Sequence, residues 1–251
     1  MVTTPPSQNS PWPLALRATY GLAAVVLAGG LVTLLVPNLL TGPAVMNGSA
    51  KGTALAMIAV GMPIAVVAAL RTRRTGSPVA HAVWLGASAY LVYNSVALCF
   101  GTPFNGAFLL YTTGLGLAIL VTALLVRAYA PASFGGWTSR RLERAIGVFL
   151  VVVTTLNALV WLKVVVPALG APSDATFLEG SGLITNPFYV QDLAWWIPAF
   201  IAAGIGLWRG HPFARLIAGA AVVDFSIESA TIAIDQFWGH QSDPASTVAT
   251  L

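Results

Sequence analysis

Four polar residues, Asp224, Glu228, Thr231 and Asp235, interrupt the last long apolar run of the chain. At 100° per residue they fall within about 60° of one another on a helix, so they form one stripe. A charged side chain at the centre of a bilayer costs on the order of 2.5–3.5 kcal/mol even on lenient insertion scales. Acids kept there point to proton exchange, to cation binding or to general acid–base catalysis. Asp224 and Glu228, close to the middle of the run, are the candidate proton donors and acceptors. Asp235 is nearer its end, where its carboxylate can simply reach water.

The elements that must hold this stripe follow from composition. Hydrophobic residues make up 57% of the 251 residues and charged residues 8%, far from the averages of soluble domains. Seven apolar stretches, at 14–36, 53–70, 78–100, 106–126, 146–168, 190–208 and 213–238, suffice as helices to cross about 30 Å of hydrocarbon. A β-barrel would show alternating segments of about ten residues instead. The expected fold is therefore all-α, an integral membrane bundle of seven transmembrane helices forming a single domain over 14–238. Residues 1–13 and 239–251 read as mobile polar tails.

Lys and Arg collect in cytoplasmic loops, which gives an orientation. Ten basic residues (Arg17, Arg71, Arg73, Arg74, Arg127, Arg140, Arg141, Arg144, Arg209 and Arg215) fall on one side if the N-terminus is cytoplasmic and the C-terminus outside. Lys51 then sits in an outer loop, and Lys163 is the one basic residue inside a span. Lys163 can pair with Asp192 or Asp235, or snorkel to the head groups. The net charge of +4 reflects this topological bias and calls for no nucleic-acid partner. The first apolar run is too long for a cleavable signal and no A-x-A site follows it, so it is expected to stay. The localisation expected is multi-pass in the plasma (cytoplasmic) membrane, the inner membrane of a bacterial cell.

With this topology the polar residues gather in the middle and outer half of the spans. Tyr90 and Asn94 share a face at i, i+4, as do Asn157 and Trp161, with Thr154 one turn below. Tyr90, Asn94, Tyr111, Asn157, Trp161, Asp192, Thr231 and Asp235 are candidate substrate-binding residues around a cavity opening outward. Each has a plainer reading. The tyrosines suit packing or an interfacial belt, and the asparagines suit hydrogen bonds between helices. Pro187 can start span 6 with Gln191 and Asp192 in its first turn, where a carboxylate meets the positive end of the dipole. Pro63 and Pro198 should kink spans 2 and 6. Residues 169–189 read either as a lid over the bundle or as a connector.

Several chemistries are excluded. A retinal protein needs a Schiff-base Lys in its last span, which has none. Membrane hydrolases similar to adiponectin receptors need three His around zinc, whereas His81 and His211 lie at inner ends and His240 follows an outer end. The lone Cys99 allows no internal disulfide or thiolate cluster. No metal and no cofactor are expected.

The segment from Asn186 to Leu193, with Tyr93-Asn94 and the Gly101 to Tyr111 turn, resembles segments of small bacterial multi-pass membrane proteins of unassigned function. That resemblance implies a multi-pass fold and brings no mechanism. The residues themselves favour transport or binding of a small solute, cation or proton. An acid–base enzyme of cyclase or isomerase type, acting on a lipid-like or isoprenoid substrate, is the alternative. A third is an accessory subunit whose acids meet a membrane partner. Gly29 with Gly30, and Gly204 with Gly206, permit close helix contacts within a chain or in a homo-oligomer.

Overall fold

The computed structural model describes residues 11–134 and 139–248. The rest of the two expected tails, 1–10 and 249–251, lies outside the described residues. Seven helices long and apolar enough to span a membrane account for most of these residues, and the described residues contain no strand. They are α1 (Trp12–Leu35), α2 (Ala44–Thr75), α3 (Pro78–Phe100), α4 (Phe108–Arg127), α5 (Arg140–Ala168), α6 (Pro187–Arg209) and α7 (Pro212–Ser242).

The ends obey local rules. Ser77 caps α3 by accepting from the Ala80 amide, and Ser139 caps α5 by accepting from that of Leu142, both at 3.3 Å. Asn186 caps α6 with bonds from the Phe188 and Tyr189 amides at 2.9 and 3.3 Å, and Pro187 takes the first helical position. Because α6 starts there, Asp192 lies beyond its first turn, and the helix dipole does not account for it. α2 and α6 stop at Gly76 and Gly210, whose φ of 63° and 80° suit glycine.

Both expected kinks take the form of a widened turn. Residues Met57–Gly61 and Asp192–Trp196 are π-helical, and Pro63 and Pro198 follow two residues later. Proline has no N–H to donate and crowds the carbonyl four residues back. An i→i+5 turn relieves this: the Met62 and Ile197 amides bond the carbonyls of Met57 and Asp192.

α3 is the axis of the bundle, with 78% of its most apolar stretch buried, whereas α5 is peripheral, with 17%. α3 packs on α2, α4 and α7; α1 packs on α4; α5 leans on α6 and touches α7 sparsely. Glycines set the closest approaches. A Cβ on Gly52 would sit 2.6 Å from the Cα of Asp235, and one on Gly147 would sit 2.7 Å from the Gly204 carbonyl oxygen.

Two elements extend past the apolar stretches. α2 begins at Ala44 rather than near 53, because Asn47, Ser49 and Lys51 lower the hydropathy of a helix whose glycine face packs on α7. Lys51 is therefore half-buried in a helix and not in a loop. α5 begins at Arg140 rather than near 146, since its first turn buries Glu143. Glu143 is 2% exposed and accepts from Arg140 Nη1 at 2.7 Å and from Arg215 Nε at 2.6 Å. Arg215 also donates to the Phe134 carbonyl, and Arg140 to that of Trp208, which ties α5, α6 and α7 together. This is the basic end of the bundle. His81 is there too, donating to the Leu125 carbonyl at 2.9 Å beside Trp12.

Candidate functional site

Asp224 and Glu228 lie one turn apart on α7, close to its middle, and both line a cavity of about 280 Å³. α5 contributes Thr154, Asn157 and Trp161 to the facing wall, because their i, i+3, i+7 spacing puts them on one helical face. α6 brings Asp192, together with Phe188, Trp196 and Phe200, and α3 brings Tyr93. Three carboxylates from two helices thus border one space in which aromatic rings make much of the wall.

Two of the three carboxylates are held by donors. Asp192 is 6% exposed and its Oδ2 accepts from Trp161 Nε1 at 2.7 Å and from Asn157 Nδ2 at 3.2 Å. The Tyr93 side chain lines the same cavity. Glu228 Oε2 accepts from Asn94 Nδ2 at 2.7 Å, and Asn94 also donates to the Tyr90 carbonyl within its own helix. Asp224 differs: it is 7% exposed and its Oδ1 has no hydrogen-bond partner. The hydroxyl of Thr154, another lining residue, is also buried without a partner. Buried polar atoms are nearly always paired, so two unpaired ones beside one cavity are informative.

The stripe on α7 shares one face but meets three different neighbours along its length. Asp224 and Glu228 face the cavity. Thr231 donates to the Ile227 carbonyl, which leaves the Tyr90 hydroxyl to donate to Thr231 at 2.8 Å in the core. Asp235 lies against Gly52 of α2, and its Oδ1 is buried without a partner. Tyr111 stands apart from all of these. Thr33 donates to the Gly29 carbonyl, so the Tyr111 hydroxyl donates to Thr33 at 2.6 Å between α4 and α1.

Lys163 is exposed on α5, and among the described residues no ion pair joins it to an acid. The cavity therefore has no basic side chain beside its carboxylates. Among the described residues no group of three or more His, Cys, Asp or Glu could hold a metal ion. Sequence reasoning did not pick out Trp196, Phe188, Phe200 and Phe225 as site residues. Aromatic residues in apolar runs carry no mark that separates a cavity wall from packing.

Aromatic rings stand over the cavity towards the end opposite the basic one. Trp161 stacks on Tyr189 with centroids 4.3 Å apart, and Phe177 packs on Tyr189 at 5.4 Å. Phe177 belongs to the 169–186 segment, which forms two short 3₁₀ turns and so covers this corner of the bundle. Gln191 separates the cavity from a larger neighbour. Its amide donates to the Tyr93 carbonyl at 3.3 Å and accepts from Trp196 Nε1 at 3.1 Å. Beyond it, an apolar groove of about 850 Å³ runs between α3, α4 and the segment before α6, with no charged side chain in its lining.

Fold and site together define a polytopic helical membrane protein with an acidic, aromatic-walled cavity inside the span. No family model, curated protein or solved structure matches the chain.

Proposed function

We propose that the protein binds a small cation within the membrane and carries it across, with exchange of protons on the same carboxylates. The basic end faces the cytoplasm in this reading, by the positive-inside bias, and the membrane is the plasma membrane. The observation that carries it is the meeting of Asp192, Asp224 and Glu228 around one intramembrane cavity that no Lys or Arg lines. Intramembrane acids without a basic partner are costly unless they serve an ion or proton path, which is where such residues are found.

The aromatic walls give a second reading some support. Trp and Tyr faces can stabilise a cationic intermediate formed from a lipid-like substrate by Glu228 or Asp224 acting as acid. Transport is the simpler use of three acids that border one space.

The test is the change of internal pH in proteoliposomes, relative to protein-free liposomes, under gradients of sodium, potassium and ammonium chloride in turn, read with an internal pH-sensitive dye. Glu228→Gln should abolish the cation-driven signal while the purified protein stays monodisperse, and Lys163→Gln should retain it. A signal of wild-type size from folded Glu228→Gln would overturn the reading.

A further inference from the structure

We infer that the cavity takes an organic ammonium ion carrying apolar substituents, and that this ion enters from the bilayer through the gap between α5 and α7. The inference rests on the cation-binding reading above and adds to it the ligand class and the route.

The ligand class follows from the walls. An inorganic cation needs several oxygen ligands converging on one point, and among the described residues no three of His, Cys, Asp or Glu come together to hold one. The lining atoms buried without a partner are Asp224 Oδ1 and Thr154 Oγ1. One carboxylate with one hydroxyl suits an ammonium group that donates to few acceptors. The remaining wall is aromatic: Tyr93, Trp161, Trp196, Phe200 and Phe225 present rings to the space. Ring faces attract alkylammonium ions, Trp most strongly, and do so best when water is excluded. A volume of about 280 Å³ falls at the small end of ligand sites.

The route follows from exposure. Three lining residues, Val153, Ser229 and Ile232, are exposed, and they lie close to the middle of α5 and α7 rather than at an end. α5 is held to α6 by the Gly147–Gly204 contact and reaches α7 sparsely, so the gap between α5 and α7 opens sideways at mid-membrane depth. The stack of Trp161, Tyr189 and Phe177 covers the end. A ligand that partitions into hydrocarbon can use such an opening, whereas a hydrated metal ion cannot.

The experiment is calorimetric titration of the full chain in lipid nanodiscs, with empty nanodiscs as blank. The ligands are benzylammonium chloride, whose N–H groups can donate to Asp224 and Thr154, its uncharged carbon isostere ethylbenzene, and sodium chloride. Saturable binding of the ammonium ion, roughly tenfold or more weaker in Asp224→Asn and weaker again in Phe200→Leu, with neither control competing, is the expected result. If Asp224→Asn does not fold, the contrast between the ammonium ion and its isostere in the wild type decides alone. Sodium binding without ammonium binding would overturn the ligand class and leave the cation-binding reading standing. Equal binding of the uncharged isostere, or no cation binding at all, would sink both. Ser229→Trp, which narrows the gap, should slow association of the ammonium ion several-fold. Unchanged association in that variant would overturn the lateral route.

Discussion

Asn94 on α3 gives its amide N–H to Glu228 on α7 across 2.7 Å, joining the axial helix of the bundle to the middle of the acidic stripe. Asn94 is 1% exposed, so losing its acceptor would leave a buried donor without a partner. Glu228→Gln keeps an acceptor oxygen for Asn94 and removes the charge. Its thermal midpoint should stay within a few degrees of wild type while cation binding falls. Asn94→Leu should instead lower stability by about 1–3 kcal/mol, the usual cost of stranding a buried polar group. Chemical unfolding in detergent separates the two. Equal losses of stability would make Glu228 a structural acid.

Tyr111 does not line the cavity that holds the acids, and its hydroxyl is committed to Thr33. Tyr111→Phe should lose about 1 kcal/mol of stability and no cation affinity. An affinity change in that variant would mean that the cavity extends to α4.

Glu143 bridges Arg140 and Arg215 while almost wholly buried. Removing one partner from a buried ion pair leaves an uncompensated charge, at about 3–5 kcal/mol. Glu143→Gln should therefore lower the melting temperature strongly. Arg141→Gln, one residue along the helix turn and exposed, should move it little. Comparable shifts in the two variants would show that the network does not hold the basic end.

Two glycines are expected to respond with opposite sign. The Cα of Asp235 stands where a Cβ on Gly52 would need space, so Gly52→Ala should separate α2 from α7 and destabilise by about 1–3 kcal/mol. Gly116, inside α4, has nothing within 4 Å of that position. Gly116→Ala should be neutral or gain up to about 1 kcal/mol from helix propensity. Thermal unfolding of both in the same detergent checks this, and a loss from Gly116→Ala would point to a contact between chains on α4.

The bundle was readable because hydropathy reports membrane spans directly, and all seven have their helices. Their ends were less readable. Asn47, Ser49 and Lys51 look like loop, but glycine packing lets that polar turn stay helical in α2. The site was partly readable for a similar reason. The spacing of Asn157 and Trp161 fixes a shared face, and Asp224 with Glu228 another, yet spacing says nothing of what faces them. Thr231 and Asp235 keep the register of the stripe and meet α3 and α2 instead of the cavity. Tyr111 had the right chemistry, but a hydroxyl between two helices satisfies itself as well with Thr33 as with a ligand.

The widened turn at Asp192–Trp196 also governs what kind of change the site can survive. Phe188, Asp192, Trp196 and Phe200 all line the cavity at intervals of four residues. In an unbroken α-helix each such interval drifts by about 40°. A turn closed i→i+5 holds roughly 4.4 residues, so the step from Asp192 to Trp196 turns back against that drift. The four side chains thereby stay in line over more than three turns. Deleting one residue between Gln191 and Ile197 would let that turn close as an ordinary α-helix: Phe188 and Phe200 would keep their phase to within about 30°, but Pro198 would again crowd the carbonyl four residues before it.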